Sequence, residues 1–430
     1  LDFVLHDIER TCPDNQAGRV LAVLAPGQGA QKPGFLRPWL DSDERATARL
    51  RWLSQIAGLD LVHLGTAADA EEIKDTAKTQ PLLVAAGALI ASRLPLDEVA
   101  VVAGHSIGEL TAAHLAGVFG LETAVALAAA RGREMAAACE RTPTGMSAVL
   151  GGDPDEVVDR IEAHGLVAAN RNGAGQIVAA GALDALAALR ADPPVRARVV
   201  PLKVAGAFHT EHMASAEQGL ADGAAGMTTA DPTRMLLSNA DGTSVASGVE
   251  TVKRLIAQVT RPVRWDLCQR TLADLEVTGI IELAPAGTLA GLARRELPDV
   301  EIVTVNTPDD LPAALDLIAR HASPTTLEPT VMFRVTVATA AGTFDPEPLL
   351  EGDHLAPGVI VGHVVTRQGR VGIAAPRGGV LVEWLAAAGD PIAPGQPLAR
   401  LHTAEPVDCA AGRTVAGQPG GSAAGEGGGA

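Results

Sequence analysis

Ser106 is the residue of this sequence best placed to act as a nucleophile. It lies in Gly104-His105-Ser106-Ile107-Gly108-Glu109, a G-x-S-x-G pentapeptide. The apolar run Val99-Ala100-Val101-Val102-Ala103 precedes it and reads as a buried strand. Leu110-Thr111-Ala112-Ala113-His114-Leu115-Ala116 follows with the composition of a helix. A serine between strand and helix, with glycine on both flanks, has the nucleophile-elbow arrangement. The turn is too tight for flanking side chains, so the hydroxyl projects beside the N–H groups of the helix N-terminus. Those groups can stabilise an oxyanion. On these residues alone, a plain strand-to-helix turn with a capping serine is the alternative. A nucleophilic serine also needs a base, and eleven histidines are available. His209, in Gly206-Ala207-Phe208-His209-Thr210, follows the apolar stretch Val199 to Val204. If that stretch is a strand, His209 stands at a strand end, where α/β enzymes gather their chemistry. A lone histidine there is more often structural than catalytic.

The elements that must carry these residues follow from the apolar pattern. Residues 1–19 read as a polar lead-in. Arg19-Val20-Leu21-Ala22-Val23-Leu24 is expected to be a first strand, running into the glycine-rich loop Ala25-Pro26-Gly27-Gln28-Gly29-Ala30-Gln31. From there to about residue 140, apolar runs alternate with helical Ala/Leu/Arg segments, as in a parallel α/β sheet. Residues 145–205 follow another order. Strand-like Met146 to Leu150 leads to Asp153-Pro154-Asp155-Glu156, whose early proline and acidic residues start a helix. Strands at Leu166–Ala169 and Gln176–Ala180, a helix at Leu183–Arg190 and a strand at Ala197–Val204 complete it. This β-α-β-β-α-β order predicts a ferredoxin-like module inserted in the α/β domain.

Composition bounds the rest. The chain has 430 residues, 47% hydrophobic, which is enough for two or three domains. The net charge of −17 argues against broad nucleic-acid binding and against an anionic membrane surface. No apolar run is long and clean enough to span a bilayer. The first residues, Leu1 to Asp7, lack the basic-then-apolar pattern of a signal peptide, and no initiator Met is present. Cys12, Cys139, Cys268 and Cys409 are scattered without a C-x-x-C pair, as expected of free thiols in a reducing cytosol.

Near residue 322 the texture changes. Ser323-Pro324-Thr325-Thr326-Leu327-Glu328-Pro329-Thr330 reads as a linker (323–330). An internal duplication follows: Glu351-Gly352-Asp353-His354-Leu355-Ala356-Pro357-Gly358 is echoed by Ala388-Gly389-Asp390-Pro391-Ile392-Ala393-Pro394-Gly395. Each copy is a turn followed by a β-branched run, which predicts a small all-β fold with pseudo-twofold symmetry. From 406 to 430 the chain is Gly, Ala and Ser with little apolar content, the composition of a disordered tail.

Over roughly residues 20–320 the chain resembles malonyl-CoA:acyl carrier protein transacylases and the acyltransferase domains of polyketide and fatty acid synthases. The motifs that carry the likeness occur in the family's order. They are Pro26 to Gln31, Gly104 to Glu109, Arg131-Gly132-Arg133-Glu134-Met135, Asn170-Arg171-Asn172 with Gln176-Ile177-Val178, Ala207-Phe208-His209, Ser238-Asn239, and Gln258 before Pro262-Val263-Arg264-Trp265. The family usually has Gly-Pro-Gly where this chain has Ala284-Pro285-Ala286. The resemblance implies an α/β-hydrolase-like acyltransferase domain (20–322) with an inserted ferredoxin-like subdomain. It implies malonyl transfer from malonyl-CoA to an acyl carrier protein, with no metal or redox cofactor. It further implies a nucleophile at Ser106, a base at His209, and a backbone carbonyl at Gln258 orienting the imidazole. Oxyanion donors would be the N–H groups of Gln28 and Ile107, and Arg131 would grip the free malonyl carboxylate. A planar guanidinium matches a carboxylate with two parallel hydrogen bonds. Without the likeness, Arg131 would read as a solvated helix arginine and Gln28 as a turn residue. Ile107 and Phe208 stand where branched-substrate relatives tend to carry Gln and Ser. A bulky Phe208 beside the base leaves less room for an α-methyl group.

Residues 331–405 resemble biotinyl/lipoyl attachment domains, small β barrel-sandwiches of two similar halves, through the duplicated turns and Ala375 to Leu381. That family carries its prosthetic group on a lysine in the hairpin between the halves. The corresponding hairpin, Val365-Thr366-Arg367-Gln368-Gly369-Arg370, has none, and the last lysine of the chain is Lys253. Arginine stays protonated and does not acylate readily. The expected role is docking or spacing, with a structural remnant as the alternative. Two other readings of the whole chain stand beside the transferase: a serine hydrolase such as a thioesterase, and a scaffold whose β domain recruits partners.

Overall fold

The computed structural model describes residues 19–321, 333–350, 353–356, 358–367, 369–375, 379–402 and 414–415. The expected linker, most of the expected lead-in and all but Thr414 and Val415 of the expected tail lie outside them. The chain divides into two units, Leu1–Pro329 and Thr330–Ala430.

The strands of the first unit are β1 (Val20–Ala25), β2 (Val101–Gly104), β3 (Thr144–Gly151), β4 (Val167–Arg171), β5 (Gln176–Ala182), β6 (Ala197–Pro201), β7 (Met235–Leu236), β8 (Val263–Arg264), β9 (Val277–Leu283) and β10 (Glu301–Val305). Five of them form a parallel sheet in the order β10-β9-β1-β2-β7. Every residue of β1 is buried. Its side chains alternate between two cores: Leu21 and Val23 join the larger one, and Val20, Ala22 and Leu24 the smaller. Helices cover both faces, so the strand reads as an unbroken apolar run rather than an alternating one. Between β1 and β2 the expected alternation of strand and helix does not occur. That stretch is helical, at Arg37–Ser42, Glu44–Ala57, Leu61–Thr66 and Thr76–Ala91. The Thr76–Ala91 helix is apolar around most of its circumference because it is buried on nearly all sides.

The second sheet of this unit has the order β6-β3-β5-β4-β8. Helices Pro154–Ala163 and Leu183–Ala191 separate its strands, giving the β-α-β-β-α-β sequence. Asp153 caps the first of these helices by accepting from the N–H groups of Asp155 and Glu156. β8 arrives from beyond this segment and pairs parallel with β4, so the small sheet includes a strand of the larger domain. No helix among the described residues is long and apolar enough to cross a membrane.

The second unit contains strands and no helix among its described residues. Its halves exchange equivalent backbone bonds: Phe344 N–H donates to Asp390 C=O, and Leu381 N–H to Asp353 C=O. The Asp353 and Asp390 carboxylates each accept the N–H three residues back, from Leu350 and Ala387. The strands Ile360–Thr366 and Gly369–Ala374 pair as a hairpin through Thr366 and Gly369, the turn without a lysine.

Candidate active site

β2 ends at Gly104, and the chain reverses into the helix Gly108–Leu115. A Cβ on Gly104 would lie 2.0 Å from the Gly108 carbonyl carbon, and one on Gly108 would lie 2.2 Å from the Ala25 carbonyl oxygen. Both flanking glycines are therefore required by backbone contact. Ser106 between them has φ 52°, a left-handed conformation uncommon for serine. Asn239, just beyond β7, holds the turn: its Oδ1 accepts from Ser106 N–H at 2.7 Å and its Nδ2 donates to Gly104 C=O at 2.8 Å.

His209 meets this serine from the opposite side, with Nε2 2.8 Å from Ser106 Oγ. Nδ1 lies 2.7 Å from the backbone carbonyl oxygen of Gln258. A carbonyl can only accept, so Nδ1 carries the proton and Nε2 is free to take one from serine. The route to this position differs from the sequence expectation. β6 ends at Pro201 and lies at the edge of the small sheet, so the strand does not deliver His209. His209 instead sits in a turn with φ 61°, and its N–H donates to Val259 C=O. Burial is the main force on the imidazole, with the Arg131 charge second; together they push its pKa down to about 3. The ring is a neutral base at any working pH.

Arg131 lies on the helix Leu121–Arg141, which packs against Thr76–Ala91. Gly132 permits that approach, since a Cβ there would meet the Thr76 carbonyl oxygen at 2.7 Å. Arg131 is 3% exposed, and its guanidinium stands behind the nucleophile, its Nη2 3.5 Å from Ser106 Oγ. Nη1 donates to Gln80 Oε1 and Nη2 to Gln258 Oε1, both at 2.8 Å. Among the described residues Arg131 has hydrogen bonds to neutral amides but no ion pair. Burial lowers its pKa to about 10, so it remains charged at neutral pH.

Ser106 and His209 open on a cleft of about 460 Å³, and Arg131 stands behind its Ser106 and Gln80 wall. Gln28, Ser106, Ile107, Phe208 and His209 all line it, with Met135, Met146 and Asn170. The N–H groups of Gln28 and Ile107 have no partner among the described residues, whereas Ser106 N–H is taken by Asn239. Phe208 is 7% exposed and walls the cleft beside the base. A larger cleft, about 540 Å³, lies beside the β4–β5 turn, but no nucleophile–base pair lines it.

Three polar groups of the site had no role in the sequence reading. Glu109 accepts from Asn239 N–H and from Gln258 Nε2. Asn239 fixes the elbow, and Gln80 holds Arg131. Glu109 and Asn239 fall inside motifs of the family likeness, but Gln80 sits in an apolar helix with no local signal. Arg264, near the site, is paired with Asp266, while Arg294 and Arg295 are exposed on the helix Thr288–Glu296. Thr288, Leu289 and Leu292 of that helix line the cleft.

The acyl transferase domain family matches residues 23–307. The malonyl CoA-acyl carrier protein transacylase of Mycobacterium tuberculosis is 55% identical over 297 residues, which is 68% of this chain and 98% of the relative. That of Escherichia coli is 31% identical, covering 69% of this chain and 99% of the relative. The crystal structure of the M. tuberculosis transacylase superposes with a TM-score of 0.66 at 54% identity, covering 68% of this chain and 98% of that one. A complex of a type II polyketide synthase acyl-carrier protein with its malonyl-transacylase matches at a TM-score of 0.64 and 27% identity, covering 69% and 99%. With its elbow, base and buried arginine inside the matched span, the chain belongs to the malonyl-CoA–acyl carrier protein transacylase family.

Proposed function

We propose that the first unit moves a malonyl group from malonyl-CoA to the pantetheine thiol of an acyl carrier protein, in fatty acid or polyketide biosynthesis, through an ester on Ser106. Ser106 Oγ attacks the thioester carbonyl as its proton passes to His209 Nε2. The Gln28 and Ile107 N–H groups hold the resulting oxyanion. Collapse expels the coenzyme A thiolate, which takes the proton back from His209. The carrier thiol then gives its proton to His209 and attacks the ester, and Ser106 recovers the proton on release. The Gln258 carbonyl keeps the ring in the productive tautomer throughout.

The observation that carries this reading is Arg131, a buried cation with no direct ion pair among the described residues, beside the Ser106–His209 pair. The distal carboxylate of a malonyl ester lies one methylene beyond the ester carbonyl, within reach of that guanidinium. Pairing would also cancel the positive charge that lowers His209 basicity. A carboxylated acyl group is thus favoured both in binding and in proton transfer. Phe208 narrows the cleft against an α-methyl branch, a discrimination of roughly 1–3 kcal/mol. A thioesterase would have no use for the arginine.

Within the first unit, residues around 145–205 form a ferredoxin-like subdomain that walls the cleft. The second unit is a barrel-sandwich of the biotinyl/lipoyl kind over about 331–405, used for docking or spacing. Its symmetric turns support that fold, and its lack of lysine argues against a carried group. The scattered thiols, Cys139 and Cys268 among them free, favour the cytoplasm.

Incubation with malonyl-CoA alone, followed by digestion and mass spectrometry, tests the reading. A malonyl adduct on the Ser106 peptide, absent from Ser106→Ala, is expected. An adduct that persists in Ser106→Ala on another residue overturns it.

A further inference from the structure

We propose that Glu109 is a positioning residue for acyl-group selection, holding the Gln258 side chain so that its amide oxygen faces Arg131 and acting as that arginine's remote counter-charge. The inference rests on the malonyl-transfer reading above and concerns how the same site chooses its acyl group.

The geometry leaves the Gln258 amide one orientation. Its Nε2 faces acceptors only: Glu109 Oε2, the Ser106 carbonyl oxygen at 3.2 Å and Asn239 Oδ1 at 3.4 Å. Its Oε1 faces a donor, Arg131 Nη2. Reversal of the amide would set NH₂ against a guanidinium and oxygen against a carboxylate, both in a buried site. Glu109 in turn accepts from Asn239 N–H, Gln258 Nε2 and the Ser238 side chain. It is 4% exposed and makes no direct ion pair among the described residues. The nearby cation Arg254 is already engaged by Asp241 and Glu250. Burial pushes the Glu109 carboxyl up to about 7, against the pull of its donors. Its charge helps Arg131 stay protonated. The chain Glu109–Gln258–Arg131 therefore keeps the guanidinium free of a carboxylate, and it balances charge where Glu109 is ionised, above about pH 7. A direct glutamate partner would compete with malonate, but a relayed one does not.

The Glu109 side chain hydrogen-bonds to neither member of the reacting pair. His209 is oriented by the Gln258 backbone carbonyl, and Ser106 N–H by the Asn239 side chain. In Glu109→Gln the new amide oxygen can keep the Asn239 N–H bond. Its NH₂ then opposes Gln258 Nε2, and the Gln258 amide loses its fixed sense.

The test measures single-turnover acylation of full-length wild type and Glu109→Gln by malonyl-CoA and by acetyl-CoA, followed as intact mass. In the variant the malonyl rate should fall about tenfold or more, as expected for a lost charge-linked hydrogen bond. The acetyl rate should stay within about twofold, because neither reacting group depends on the charge. Equal losses for both acyl groups would mean a merely structural residue, and an unchanged ratio would mean no role in selection. Either result overturns the proposal. Should Glu109→Gln fail to fold, Gln258→Leu keeps the backbone carbonyl and removes the relay. Retained malonyl preference in that variant overturns the proposal equally. Failure of the wild type to form any malonyl ester would instead overturn the functional reading itself.

Discussion

Truncation of Arg131 to alanine should convert this enzyme from a malonyl-selective to an indifferent acyltransferase. Arg131 is 3% exposed, so a carboxylate bound to its guanidinium is desolvated with it. Losing one partner of such a buried charge pair costs roughly 3–5 kcal/mol. At about 1.4 kcal/mol per decade, that is roughly 10²–10⁴ in the malonyl acylation rate. The lower end is the better expectation, because the vacated space adjoins the cleft and admits water that can meet the carboxylate. Acetyl-CoA has no carboxylate to lose. Removing Arg131 also removes the second-largest influence lowering His209 basicity, so acetylation should hold or rise. The malonyl-to-acetyl ratio should therefore fall about 10²-fold. The variant orphans the Gln80 and Gln258 side-chain oxygens, at about 1–3 kcal/mol each before water enters, so thermal stability must be followed in parallel. Single-turnover acylation by the two thioesters, read as intact mass, gives the ratio directly. Equal loss of both rates in a folded variant would refute a carboxylate-binding role.

His209→Ala should slow acylation by about 10²-fold or more while leaving the fold intact. With the folded pKa near 3 against an ordinary 6.5, His209 costs stability increasingly as pH falls from 6.5 toward 3 and leaves stability unaffected above that window. Nitrogen-15 NMR of the histidines should find its Nε2 unprotonated at about pH 6, and a ring titrating near its ordinary value would contradict this. Transfer to carrier protein should weaken with added salt and with reversal of Arg294 and Arg295 to glutamate, while transfer to free pantetheine barely responds. Equal salt sensitivity for both acceptors would argue against charge-guided docking. A chain ending at His321 should stay soluble and transfer malonyl near the full-length rate, and intact mass of the whole chain should show neither biotin nor lipoate. Loss of transfer in a well-folded truncation, or a covalent prosthetic mass, would overturn an independent β unit.

Much of the first unit was legible in the sequence because its signals are local. The apolar run of β1, the glycines around Ser106 and the Asp153 cap each act within a few residues. The small sheet's element order could likewise be read from periodicity and punctuation. The helical stretch between β1 and β2 was misread as alternating strand and helix. A helix buried on nearly every side, as Thr76–Ala91 is, loses the periodic polar face that would identify it. The pairing of β8 with β4 was also invisible, since two residues contributed from a distance carry no pattern.

The sequence by itself determined the tight turn that presents Ser106. Two glycines and a serine define a turn whose backbone contacts exclude any side chain, a constraint written within the motif and independent of the rest of the chain. It also determined that the second unit cannot carry a group on lysine. Only the tertiary structure decided how the other groups meet. The expected strand end did not deliver His209; a left-handed turn fixed by Val259 did, because the histidine's position depends on contacts far away in the chain. Close packing of two helices through Gly132 set Arg131 behind Ser106, and the Gln80 and Gln258 amides gave it partners without neutralising it. Sequence spacing specifies local backbone geometry, but the charge state and reach of a buried group depend on neighbours that only folding brings together.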